Sequence, residues 1–109
     1  MDNSNEKIRR ISAEIESALD LKNPFSNKFI RAALESIKIF DDKHTEKGVA
    51  SYGDFGPVGV AVKLSDKWDL LKEHYITGEV YPSEVIEELW QDISVYGLIG
   101  KLVEEGEWK

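Results

Sequence analysis

Apolar residues return every three or four positions along most of this chain, and no segment alternates convincingly at period two. That pattern predicts helices and an all-α fold. The first helix is expected from about Asn5 to Leu19, with Ile8, Ile11, Ile15 and Ala18 on one face. LKNPFSN then interrupts the period: Pro24 breaks it, and Ser26 and Asn27 are capping candidates for the next helix. A second helix carries Phe29, Ile30, Ala33, Leu34, Ile37 and Phe40 and is expected to fray near the lysines before Gly48. The glycine-rich KGVASYGDFGPVG reads as a loop or tight turn. Pro57 suits the first turn of a third helix, which carries Val60, Leu64, Trp68, Leu71 and Tyr75 to about Ile76. After TGEVYPS a fourth helix begins near Pro82 and Ser83 and reaches about Glu105.

The two halves of the fourth helix differ. At about 100° per residue, Val85, Ile86, Leu89, Ile93, Tyr96 and Gly97 form one broad apolar arc. Past Ser94, Val95, Leu98, Ile99, Leu102 and Val103 nearly surround the axis. A helix apolar all round is buried on every side. In a chain this small a second copy is expected to cover the outer side, which predicts a homo-oligomer.

The first half of the same helix carries Glu84, Glu88 and Asp92 at intervals of four, stacked almost above one another. Asp92 borders the apolar arc, and Glu88 and Glu84 drift progressively away from it. Carboxylates beside apolar side chains need a counter-charge or they neutralise. Two readings stand: a solvent-facing acidic edge, or a stripe that holds a cation. The second needs acids from other helices, since Mg²⁺ takes a few carboxylates together with waters and phosphates. Asp41 falls on the apolar side of the second helix if that helix persists so far, with His44 one turn later. If the helix has ended, Asp41 caps a loop instead. On the third helix Lys63, Asp66, Lys67, Leu70 and His74 share one edge, as an ion-pair ladder or as part of a site.

Composition narrows the classes. At 109 residues the chain is expected to be a single domain, residues 1–109. It has no cysteine, which excludes disulfides and thiolate metal sites. The formal charge is −7 and no dense basic cluster is visible, which argues against duplex nucleic acid as a ligand. MDNSNEKIRRISAEI lacks the apolar core of a signal peptide and no stretch reaches the length of a membrane span, so the expectation is a cytoplasmic protein without membrane contact. Trp68, Phe40 and Trp90, aromatic residues at helical spacing, are expected in the core.

Together these features suggest acids of the fourth helix, with Asp41 or Asp66, around Mg²⁺. Lys63 and Lys67 then neutralise the phosphates that the ion bridges. The glycines of YGDFG allow backbone amides to approach a phosphate or base, although the loop matches no P-loop pattern.

YGDFGPVGVAVKLSDKWDLL followed by EVIEELWQDISVYGLIGKL resembles the phage and bacterial nucleotide-modification-associated proteins, small relatives of the MazG-like all-α NTP pyrophosphatases. The shared pattern is a YG-containing turn, a helix with a DK pair, and a helix reading E-x-x-x-D/E-x-x-x-D-x-x-x-Y. It falls on Tyr52, Gly53, Asp54, Asp66, Lys67, Glu84, Glu88, Asp92 and Tyr96, within a family-like region of about residues 40–105. The resemblance implies a four-helix-bundle-like MazG-type fold, a Mg²⁺-linked nucleotide site and assembly into oligomers. It also implies cleavage of the α–β phosphate bond of a nucleoside triphosphate by metal-activated water. Glu84, Glu88 and Asp92 match one acidic helix of that family, as metal ligands. The paired-glutamate motif EExxE of the other acidic helix is missing, and Leu70 stands where an arginine often follows the DK pair.

Three functions follow as expectations. The first is a Mg²⁺-dependent nucleoside triphosphate pyrophosphohydrolase. Glu84, Glu88 and Asp92 are its metal ligands, Lys63, Lys67 and the Tyr52–Asp54 turn its nucleotide contacts, and Tyr52 and Trp68 its stacking surfaces. The second is a non-catalytic phage-type protein that sequesters a nucleotide or cyclic-nucleotide signal. The third is an acidic module that blocks a basic protein partner.

Overall fold

The structure, a computed structural model, describes residues 4–47 and 54–108, less the side chains of His44, Glu46 and Lys47. It is all-helical among those residues: α1 (Ser4–Ala18), α2 (Ser26–Lys47), α3 (Gly56–Tyr75) and α4 (Ser83–Glu104). The limits of α1 and the ends of α3 and α4 lie within a residue of the boundaries that periodicity and breakers predict. The second helix runs past Asp41 to Lys47, so Asp41 sits inside a helix and caps no loop. The chain forms two compact units, Met1–Asp41 and Asp42–Lys109, with the division inside α2.

In the first unit, α1 ends on Asp20, a non-glycine residue in the left-handed region at φ 53°. The Asp20 N–H donates to Ser17 O at 3.1 Å and the Leu21 N–H to Glu16 O at 3.0 Å, the paired closure of a Schellman turn. Asn23 Oδ1 then accepts the Phe25 N–H at 2.8 Å, an Asx turn that leads through Pro24 into α2. Between the helices the buried Ser12 hydroxyl donates to Arg9 O at 2.9 Å and accepts from Asn27 Nδ2 at 3.3 Å. Ile8 and Ile15 are only half-buried and Ile11 is exposed. Ser12 and Ser36 are the buried side chains of this unit among the described residues.

The second unit holds all five of the buried apolar side chains among the described residues: Val60, Leu71, Ile86, Leu89 and Ile99. Leu71 of α3 meets Ile86 and Leu89 of α4, with Tyr81 and Ile93 packed against them. Burying side chains of this size contributes about 1.5–3 kcal/mol each. The helices run antiparallel, since Tyr75, Lys67 and Val60 in descending order meet Trp90, Asp92 and Gly100 in ascending order. Contact is tight at Gly100, where a Cβ would stand 3.3 Å from Val60 Cγ1. At Gly97 a Cβ would meet nothing within 4 Å. Trp68 and Trp90, expected in the core, are instead each half-exposed.

Polar contacts close the α3–α4 turn. Gly78 supplies a left-handed φ of 84°, and the Glu79 N–H donates to Glu73 O at 3.0 Å. Tyr81 N–H donates to His74 Nδ1 at 3.3 Å, and the Tyr81 hydroxyl donates to Glu73 Oε2 at 2.5 Å. That carboxylate stabilises the protonated phenol and lifts its pKa from 10 to about 12, helped by desolvation and by the charges of Glu73 and Glu79.

Two tests follow from this geometry. Gly100→Leu should lower stability by about 1–3 kcal/mol by overpacking the seam, whereas Gly97→Ala should raise it by about 0.5–1 kcal/mol through helix propensity; thermal melts of the two variants compare them. Because the folded pKa of Tyr81 is raised, its hydrogen bond contributes fully below pH 10 and fades as pH rises through about 12. A phenolate absorbance titration should therefore show one tyrosine ionising late, and Glu73→Gln should bring it back towards 10.

Candidate functional site

Asp92 lies on the flank of α4 that borders the apolar arc, and only 16% of its side chain is exposed. Desolvating a carboxylate this far requires an opposite charge. Two arrive from different helices. Lys67 of α3 places Nζ 3.1 Å from Asp92 Oδ2, and Lys43, in the last turns of α2, places Nζ 3.5 Å from Oδ1. Each carboxylate oxygen thus has its own ammonium, and the three side chains together carry a net charge of +1.

Of the other predicted residues, Glu84 and Glu88 are exposed on α4, as their drift from the buried arc predicts. Lys63, Asp66 and Asp54 are exposed too, and Asp41, within the first unit, is exposed rather than aimed into a core. Tyr52 and Gly53 lie outside the described residues. Among those described, no three His, Cys, Asp or Glu side chains gather closely enough to hold a metal ion. Asp92 is paired instead with lysines.

The aromatic residues do not join the clasp. Trp90 Nε1 donates to Tyr75 OH at 3.4 Å, with ring centroids 6.4 Å apart, on the opposite edge of the α3–α4 seam. On their helices Lys67 and Trp68 point about 100° apart and Trp90 and Asp92 about 160° apart. A base stacked on Trp68 and a phosphate held by Lys67 would thus occupy different faces.

Sequence reasoning missed Lys43. It carries no motif and lies outside the predicted third-helix ladder, and only its meeting with Asp92 marks it. Gln91 was also missed: its Nε2 is buried without a hydrogen-bond partner beside Asp92 in sequence.

The clasp separates Asp92 from the rest of the stripe in a measurable way. Asp92→Asn leaves two ammoniums facing each other and should cost about 1–2 kcal/mol in denaturant unfolding, less than a fully buried pair because the lysines reach solvent. Glu84→Gln and Glu88→Gln should each stay within about 0.5 kcal/mol of the parent.

Comparison with family models, with curated proteins and with solved structures finds no match to this chain.

Proposed function

We propose that this protein is a nucleotide-handling protein of the MazG-like kind, and that it binds the phosphate chain of a nucleotide at the Lys43–Asp92–Lys67 clasp. The observation that carries this reading is the excess positive charge at the one half-buried carboxylate of the acidic stripe. A phosphate chain brings the negative charge that the clasp lacks. Lysine ammoniums bind phosphate oxygens as mobile point charges, so either one is able to turn from Asp92 to a ligand without moving a helix. The resemblance of the DK pair and of Glu84, Glu88, Asp92 and Tyr96 to the family pattern points to the same face.

Binding, rather than hydrolysis, is the activity that the geometry supports best. Hydrolysis in the MazG-like manner needs several carboxylates around a metal, and among the described residues no such group gathers. Mg²⁺ accordingly enters this proposal as an ion carried by the nucleotide phosphates. Of the two ligand classes considered, a nucleoside triphosphate suits the clasp better than a cyclic nucleotide, because it carries more charge on a chain free to reach both lysines.

The proposal extends to a four-helix-bundle-like assembly of copies of this chain. Ile99 is buried within its own chain, but Leu98 and Leu102 on the outer side of α4 are 56% and 38% exposed. A second copy covering them completes the apolar half of that helix.

Isothermal titration with nucleoside triphosphates, with and without Mg²⁺, together with a pyrophosphate assay and light scattering on the same samples, tests the reading. We expect saturable binding, weakened about tenfold by Lys67→Met through loss of one charge-assisted contact, no pyrophosphate, and a mass above that of the monomer. Mg²⁺-dependent pyrophosphate release would convert the binder into an enzyme. Absence of nucleotide binding, or binding indifferent to both Lys43→Met and Lys67→Met, sinks the clasp as a site.

A further inference from the structure

The acidic excess of this protein is confined to one of its units. Met1–Asp41 carries seven acidic and seven basic residues, whereas Asp42–Lys109 carries fourteen acidic and seven basic. Two grooves lie along the helix pair of the balanced unit. One is mainly apolar, formed by Ile8, Ile11, Leu34, Ile37 and Phe40, with Lys7, Lys38 and Asp41 also lining it. The other is a cavity of about 350 Å³ where Arg9 of α1 meets Lys28 and Arg31 of α2, with Asn5 and Glu35 beside them.

Three cations therefore line one cavity against a single carboxylate. None of the three makes an ion pair among the described residues; Lys28 rests over the Phe25 ring, 5.5 Å from its centroid. The Nε of Arg31 is buried and has no hydrogen-bond partner. A buried donor without an acceptor costs about 1–3 kcal/mol, more when it belongs to a charged group. A chain with a large surplus of carboxylates has not supplied one here.

We propose that this α1–α2 cavity is a binding site for a small phosphorylated anion of about the size of pyrophosphate. The donor set selects the class. Two guanidinium forks and an ammonium present many N–H donors, and guanidinium geometry matches phosphoryl oxygens two at a time. A monocarboxylate has one charge and two oxygens, too few for three cations opposed by one Glu35. The volume lies at the small end of ligand pockets, which favours a phosphoryl or pyrophosphoryl group over a whole triphosphate with its base. The site is independent of the clasp at Asp92: it uses none of the same residues, and its ligand needs neither a base nor a metal.

The test is titration of the full chain with inorganic pyrophosphate, inorganic phosphate and a nucleoside monophosphate, in a phosphate-free buffer of low ionic strength without Mg²⁺. Pyrophosphate should bind once per chain. Arg31→Gln and Arg9→Gln should each weaken it about tenfold or more, by loss of charge-assisted hydrogen bonds. Glu35→Gln should strengthen it several-fold, a change of opposite sign that general attraction to basic residues does not produce at a single position. Lys67→Met should leave it unchanged. Circular dichroism checks that each variant keeps its helices, and Arg9→Gln, exposed on α1, stands in if Arg31→Gln unfolds. Tighter binding of the monophosphate than of pyrophosphate identifies a nucleotide as the source of the phosphoryl group and supports the site. Absence of saturable binding by all three anions, survival of binding in Arg31→Gln and Arg9→Gln, or its loss in Lys67→Met, each overturns it.

Discussion

Close contact between α3 and α4 is the constraint on which the better-packed half of this protein depends. Val60 reaches the helix backbone at Gly100, and Leu71 settles against Ile86 and Leu89. With helices antiparallel and in this register, Lys67 is carried to the same level as Asp92. A larger residue at Gly100 would separate the helices at one end and change the geometry at the other. The apolar seam and the charged clasp are therefore one construction: dispersion and desolvation set the register, and the register decides which charge neutralises which.

Electrostatics then sorts the surface. The Asp42–Lys109 unit is strongly acidic, yet Asp92, its one half-buried carboxylate among the described residues, is over-neutralised by two lysines. The Met1–Asp41 unit is balanced in sum, yet three of its cations, Arg9, Lys28 and Arg31, line one cavity with a single carboxylate, Glu35. In both places the net charge of the whole protein is a poor guide to the local field, because charges a few ångströms apart outweigh those separated by more than a Debye length. An acidic protein can thus gather cations locally, as at the seam and in the helix pair.

Helix identity and helix limits were legible in the sequence because both are local properties. Pro24, Pro57, Pro82 and the glycine-rich turns break the period where the helices break, and the apolar stripe of α3 predicted its buried Val60 and Leu71. The gradation along the acidic stripe was equally legible: Asp92 is shielded while Glu84 and Glu88 face solvent. Local reasoning failed where exposure depends on what lies across from a helix. Trp68 and Trp90 sit at helical spacing and were expected in the core, yet each is about half exposed.

By itself, then, the sequence determined the all-helical class and the positions of the helices, because period and breakers are local. It also marked inward residues of α3 and α4, Val60, Leu71, Ile86 and Leu89, whereas the buried side chains of α1 and α2 among the described residues are Ser12 and Ser36. Tertiary structure decided the partners. That Asp92 meets Lys43 and Lys67 rather than other carboxylates, and that Arg9 shares a cavity with Lys28 and Arg31, depends on how helices cross and slide. Periodicity carries no information about crossing angle or register. Those are set by side-chain volumes at the contact, such as the missing Cβ of Gly100 against Val60.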